Sequence, residues 1–145
     1  MTIVKGREMG RIIMKIQLAN HEDEIRALAG DIAGTEIRRT EIEGWIDTGA
    51  TRLVLPKAVV DRLGLRVSGR TKARPADKST VERDVVKDVS LTLLGREGVF
   101  NAIVEPNRDD ALIGAIVLED LDMLADPVTG TCHPRDPNHI ISELD

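Results

Sequence analysis

The sequence predicts an all-β fold with little helix, a small closed barrel or sandwich the size of one domain. Three observations predict it. Apolar residues recur in short runs, several alternating with polar ones, as in strands buried on one face. Gly, Pro, Asn and Asp cluster between these runs at close spacing, which is turn chemistry. Helical spacing is confined to a few short stretches. With one Trp, one Phe and no Tyr, the core has to be assembled from Ile, Leu, Val and Ala.

Arg11–Ala19 reads as the first strand, because Ile12, Met14, Ile16 and Leu18 alternate with other residues. Asn20–Asp23 reads as a polar turn, Glu24–Ala29 as one short helical turn, and Gly30 to Gly34 as a loop. Glu36–Ile46 is the next strand, ending on Trp45-Ile46. Asp47-Thr48-Gly49 is a turn by composition, and Arg52–Leu55 a short apolar strand. Pro56 opens a helix over Lys57 to Leu63, with Val59, Val60 and Leu63 on one face and Gly64 as its stop. Thr71–Arg83 is polar and turn-rich, with Ala76-Asp77-Lys78-Ser79 as a hairpin tip. Val85–Leu94 and Gly98–Glu105 are strands punctuated by Gly95 and Pro106. After the loop Asn107–Asp110 come Ala111-Leu112-Ile113-Gly114 and a short helix, Ala115–Leu121. Met123–Ala125 and Thr131–His133 form a hairpin across Asp126-Pro127-Val128-Thr129-Gly130. Residues 1–9 read as an N-terminal extension, 10–134 as the domain, and 135–145 as a loosely held tail.

Composition narrows the function. The net charge is -5, and the chain has neither an aromatic stacking platform nor a basic face, which argues against a nucleic-acid partner. The basic clusters at Arg38-Arg39 and Arg66 to Arg74 are each followed by acidic residues and read as solvated surface. No run approaches the ~20 apolar residues of a membrane span. Lys5, Arg7 and Arg11 are not followed by a long apolar segment or a small-residue cleavage site, so a cytoplasmic location without a membrane partner is expected. Cys132 is the one cysteine and cannot form an internal disulfide.

The chemistry sits in Asp47-Thr48-Gly49, after the apolar Trp45-Ile46 and before Ala50 and Thr51. Hydrolysing a peptide without a metal or a nucleophilic side chain requires a more reactive water. Two adjacent carboxylates supply it: they cannot both ionise comfortably, so they share one proton, one acting as base toward water and the other as acid toward the carbonyl. Asp47 is the carboxylate on a tight turn, Thr48 a hydroxyl that fixes geometry, and Gly49 a residue whose N–H can reach the carboxylate. The chain contains no second Asp-Thr-Gly or Asp-Ser-Gly.

On these residues the chain resembles the retropepsin-like aspartic proteases, the retroviral-type, single-lobed class with small bacterial relatives. Aspartic proteases are themselves the standard instance of the shared-proton pair. The likeness spans about residues 10–134 and is carried by Trp45 to Thr51, by Ala76-Asp77-Lys78-Ser79, and by Leu112-Ile113-Gly114 with the helix after it. It implies a closed acid-protease barrel with one or two short helices. It also implies an endopeptidase, active as a homodimer that pairs two copies of Asp47, acting on a peptide or protein substrate without metal or cofactor. Thr48 and Gly49 then support Asp47, Leu112, Ile113 and Gly114 pack beneath the turn, and Ala50, Ala76, Asp77, Lys78 and Ser79 contact substrate. The flap lacks the repeated glycines of retroviral enzymes, and the termini do not match their dimerising strands, which points to Met123–His133 as an interface. Ala50 stands where a serine would offer a hydroxyl to the charged pair, so an activity optimum nearer neutral is expected.

Other readings compete. The same fold could serve as a non-catalytic, dimeric peptide-binding module. Cys132, His133 and His139 could suggest a metal hydrolase, but their spacing matches no standard zinc pattern. His21 beside three acidic residues reads as a solvated turn, Trp45 as a packing residue, and Asp126 as a turn residue rather than a partner for Asp47.

Overall fold

The computed structural model describes residues 12–75, 77–138, 140, 141 and 144. The proposed extension, Ala76, and His139 lie outside the described residues. In chain order the elements are β1 (Ile12–Asn20), α1 (His21–Leu28), β2 (Arg39–Ile46), β3 (Leu53–Pro56), α2 (Lys57–Leu63), β4 (Val67–Ala73), β5 (Val81–Leu93), β6 (Arg96–Glu105), β7 (Ala111–Ile113), α3 (Ala115–Leu121), β8 (Met123–Asp126) and β9 (Thr131–Pro134). The large sheet runs β1-β2-β7-β3-β6-β5-β4, and β1 also pairs with β5, from Gln17↔Thr92 to Asn20↔Val89. That second pairing closes a six-stranded barrel and leaves β4 projecting from β5. The all-β expectation holds, as a closed barrel.

A bulge lets one strand serve two purposes. The first half of β5 pairs with β4, from Val81 to Val86, and the second half pairs with β1. Between them the register against β6 shifts from Val86 to Val89, with Asp88 at φ 60. The extra residue bends the strand, turning the β4–β5 hairpin away from the barrel wall. In the hydrophobic core Ile16, Leu53, Leu55, Leu63, Leu91, Leu93 and Ile113 are fully buried, and Phe100 is the only aromatic among the buried core residues. The core is aliphatic, as composition required. No helix among the described residues is long and apolar enough to cross a membrane.

Several local readings are corrected. Asn20–Asp23 is not a turn: Asn20 ends β1 and caps a helix that starts at His21, three residues before the expected Glu24. Its Oδ1 accepts from the Asp23 N–H at 3.1 Å, and its Nδ2 donates to Leu63 O at 2.8 Å, so one side chain ties together two helix ends. Glu22, Asp23 and Glu24 favour the positive end of the helix dipole. Ile25 and Leu28 on this helix are exposed, which explains why apolar periodicity under-read it. Arg38 is at the surface, as expected, but it is also paired. Its backbone N–H, Nε and Nη2 all donate to the buried Asp23 carboxylate, at 3.0, 2.8 and 2.9 Å.

Strand β2 begins at Arg39 rather than Glu36, because Gly34–Glu36 forms a 3-10 turn in which Glu36 accepts from the Ala33 N–H at 2.7 Å. Pro56 is the N-cap of α2 rather than its first helical residue, and Gly64 ends that helix at φ 63, where a side chain would be strained. Within Thr71–Arg83 the turn is shorter than the polarity suggested. The β4–β5 ladder runs from Val67 and resumes at Val81, carried by ion pairs from Arg70 to Asp84 (2.8 Å) and Glu82 (3.4 Å). A projecting edge strand has little apolar face to bury, so its pattern is charged rather than alternating.

Candidate active site at the Asp47 turn

Strand β7 lies between β2 and β3, parallel to β2 through Trp45↔Leu112 and Ile46↔Ile113, and antiparallel to β3 at Val54↔Leu112. The ladder continues one residue past β2, where the Asp47 N–H donates to Ile113 O at 3.0 Å. The chain then folds back, with the Ala50 N–H on Asp47 O at 3.0 Å. Inside this turn the Gly49 N–H donates to Asp47 Oδ1 at 2.9 Å, which fixes the carboxylate by a charge-assisted bond from the backbone. Asp47, Thr48 and Gly49 are exposed and Ala50 is half-buried. Among the described residues the Thr48 hydroxyl has no hydrogen-bond partner.

The turn is held from behind by the start of α3. The Ala115 N–H donates to Ala50 O at 2.8 Å and the Ile116 N–H to Thr51 O at 3.0 Å. Gly114 sits at this crossing. A Cβ there would lie 2.5 Å from Arg52 O, 2.6 Å from Arg52 N and 2.6 Å from Thr51 C, all backbone atoms. Ile113 thus meets the Asp47 turn through a backbone hydrogen bond and Gly114 crosses its far side in close packing, while Leu112 pairs with Trp45 and Val54 on the flanking strands. Ile113 is fully buried and Leu112 half-buried.

Asp47 stands at an open cleft of about 950 Å³. Its walls include the half-buried aliphatics Val54, Val81, Ile103 and Leu112, together with Ile12 and Trp45. The β4–β5 hairpin lines the same cleft, contributing Ala73, Arg74, Pro75, Asp77 and Arg83. Its tip is a compact turn: the Lys78 N–H donates to Pro75 O at 2.9 Å, and Asp77 Oδ1 accepts from the Ser79 N–H (2.9 Å) and hydroxyl (2.6 Å). These bonds pull the Asp77 carboxyl below its usual range. Lys78 takes φ 70 without a glycine. Of the expected tip residues, Asp77 lines the cleft, whereas Lys78 and Ser79 are not among its lining residues.

Several residues on the cleft escaped sequence reasoning. Arg83 on β5 pairs with Glu105 at the end of β6 at 3.1 Å, and the loop after β6 adds Asn107 and Arg108. Ala125 and Pro127 bring the β8–β9 hairpin to its rim. No motif marks these residues, and only strand register brings them beside Asp47. The C-terminal grouping separates. Cys132 is buried in the core, where desolvation raises its thiol pKa, while His133 is exposed. Among the described residues no three His, Cys, Asp or Glu side chains are grouped to hold a metal. Asp126 closes the β8–β9 turn, its Oδ1 accepting from the Val128 and Thr129 N–H groups at 2.9 and 3.3 Å.

Comparisons with known proteins bear on this geometry. The family model described as "gag-polyprotein putative aspartyl protease" matches residues 33–120, which take in the Asp47 turn, the β4–β5 hairpin and β7 with most of α3. No curated protein matches the sequence. Among solved structures, the EIAV protease complexed with the inhibitor HBY-793 aligns with a TM-score of 0.55 at 20% identity, covering 77% of this chain and 88% of that one. The solution structure of the simian foamy virus (mac) protease aligns with a TM-score of 0.46 at 16% identity, covering 72% of this chain and 91% of that one.

Proposed function

This chain belongs to the gag-polyprotein aspartyl protease family and has the retropepsin-like fold; from that premise we propose that it is an aspartic endopeptidase, active as a homodimer that pairs the Asp47 carboxylates of two copies. The observation that carries the reading is the Asp47 turn itself: an exposed carboxylate, oriented by the Gly49 N–H at 2.9 Å, facing an open cleft. One Asp47, ionised, takes a proton from water as the oxygen attacks the peptide carbon. The other, protonated, gives its proton to the carbonyl oxygen. The tetrahedral intermediate then collapses: the first Asp47 passes the proton it took from water to the nitrogen, the second recovers one from a hydroxyl of the intermediate, and the C–N bond breaks to give a carboxylic acid and an amine. The unpartnered Thr48 hydroxyl suits a bond to the facing copy of the turn. Leu112, Ile113 and Gly114 hold the turn in place from beneath.

The substrate is an extended peptide lying between the turn and the β4–β5 hairpin, held by backbone bonds and by side chains in the aliphatic walls. Asp77 is on the side of the hairpin that meets it. The β8–β9 hairpin is the best-supported contact between copies. Among the described strands, β8 and β9 pair only with each other, and two strands alone are marginally stable. Met123 and Cys132 anchor one face in the core, while Leu124 and the tip residue Val128 are exposed, 47% and 92%. Ala125 and Pro127 place this arm at the edge of the cleft, where a second half-site has to join.

Asp47→Asn tests the mechanism. The variant is expected to lose cleavage of a mixed peptide library while keeping the wild-type dimer in sedimentation. Cleavage retained in a clean preparation would sink the mechanism. A wild-type dimer that cleaves nothing at any pH would favour the alternative, a non-catalytic peptide-binding module on the same fold.

A further inference from the structure

Three arginines, Arg74, Arg83 and Arg108, line the cleft that holds Asp47. They are not equivalent. Arg83 is neutralised by Glu105 at 3.1 Å. Arg108 spends its Nε on the Asp110 carbonyl at 3.0 Å, and no carboxylate lies within ion-pair distance of its terminal nitrogens among the described residues. Arg74 is exposed and likewise has no ion-pair partner among them. The cleft carboxylates other than Asp47 are already engaged: Glu105 by Arg83, and Asp77 by the Ser79 N–H and hydroxyl. An overall acidic chain therefore presents, around its candidate active site, two guanidinium groups with open donors. They reach the cleft from different elements, Arg74 from the hairpin and Arg108 from the loop after β6, and half-buried Val54 and Ile103 line the same cleft.

We propose that this cleft selects peptides carrying an acidic side chain close to the scissile bond, with Arg108 and Arg74 as the specificity-determining residues and aliphatic residues accepted beside it. The inference rests on the endopeptidase reading for its cleavage arm, but its binding arm does not. A guanidinium offers a carboxylate two parallel donors, a geometry that a glutamine side chain cannot match. Both arginines remain partly hydrated, so the gain is that of a screened pair, about 2–5-fold in preference for each arginine rather than several thousand. The net charge of -5 opposes a long-range attraction of acidic peptides, which leaves the discrimination to these local contacts.

The test uses matched peptides of one fixed, aliphatic-rich sequence that differ only in Glu, Gln or Lys at each successive position. Cleavage ratios are measured for wild type, Arg108→Glu and Arg74→Glu, and binding of the same peptides is measured on Asp47→Asn with and without each charge reversal. Ratios within one preparation are independent of how much active protein it contains. The expected result is a Glu-over-Gln preference of about 2–5-fold in at least one position, reversed toward Lys by Arg108→Glu or Arg74→Glu. Cleavage without Glu preference, or a preference that neither reversal changes, overturns this inference and leaves the protease reading intact. Glu-selective binding that the reversals abolish, with no cleavage by wild type, supports the inference and overturns the protease reading instead.

Discussion

Replacing Gly114 by alanine isolates the contact that ties the Asp47 turn to the barrel. Gly114 has φ -91 and ψ -177, which alanine adopts freely, so the cost is steric. The new Cβ would lie 2.5 Å from Arg52 O and 2.6 Å from Arg52 N and Thr51 C. Restoring ordinary separations of ~3.5 Å means displacing that backbone by about 1 Å. The same segment accepts the Ala115 N–H on Ala50 O at 2.8 Å and the Ile116 N–H on Thr51 O at 3.0 Å. Losing both bonds costs about 1–3 kcal/mol, and the overpacking itself about 1–3 more, for a total of roughly 2–6 kcal/mol. In a domain of this size 1 kcal/mol moves Tm by about 3–4 °C, so a fall of at least about 6 °C is expected. Thermal and urea melts of Gly114→Ala measure it. Gly69→Ala is the control, because a Cβ there meets nothing within 4 Å, and it is expected to change stability by less than ~0.5 kcal/mol. A Gly114→Ala protein as stable as the control would refute the argument that this crossing is too tight for a methyl group.

Two further outcomes are expected. Arg38 hydrogen bonds hold the Asp23 carboxyl at about 2, down from the ordinary 3.8, against the opposing effect of burial. The folded-state value lies below the unfolded one, so this stabilisation is full above pH ~4 and is lost as the pH falls from about 4 to about 2. Arg38 is half exposed, which discounts the gain to about 1–2 kcal/mol. Asp23→Asn should therefore be less stable than wild type at pH 5 and lose less than wild type on going to pH 2.5, by urea midpoints; equal acid losses in the two proteins would contradict it. Leu124→Asp in the β8–β9 hairpin should raise the dimer dissociation constant at least about tenfold, since each copy loses an apolar contact and gains a charge. Leu28→Asp, at a 92% exposed position on α1, should leave it unchanged. Dimers of equal strength by sedimentation would place the interface elsewhere, and Val128→Asp at the exposed tip separates a weakened interface from misfolding of the Leu124 variant.

The aliphatic strands and two of the three helices were legible because each repeats one local rule. Alternation gave β1, proline and glycine bracketed α2 almost to the residue, and the Asp47 turn announced itself by composition. Where local rules competed, the reading slipped. Helix α1 is secured by the Asn20 cap and the Asp23–Arg38 pair, contacts between residues 15 apart for Asp23 and Arg38 and 43 apart for Asn20 and Leu63, not by an apolar stripe. The β4–β5 ladder is held partly by charge pairs, so hydrophobic periodicity could not see it.

The sequence by itself determined the fold class, the aliphatic core and the one triplet able to place a carboxylate on a tight turn, because these follow from residue type and near-neighbour spacing. Only the tertiary structure decided what surrounds that carboxylate. The insertion of β7 between β2 and β3 brings Ile113 and Gly114 to the Asp47 turn, and the β4–β5 hairpin, set off by the bulge in β5, lines the same cleft. Barrel closure sets Arg74, Arg83 and Arg108 around one cleft. Those residues are far apart along the chain, and the free energy that unites them lies in strand register and core packing, which no local pattern encodes.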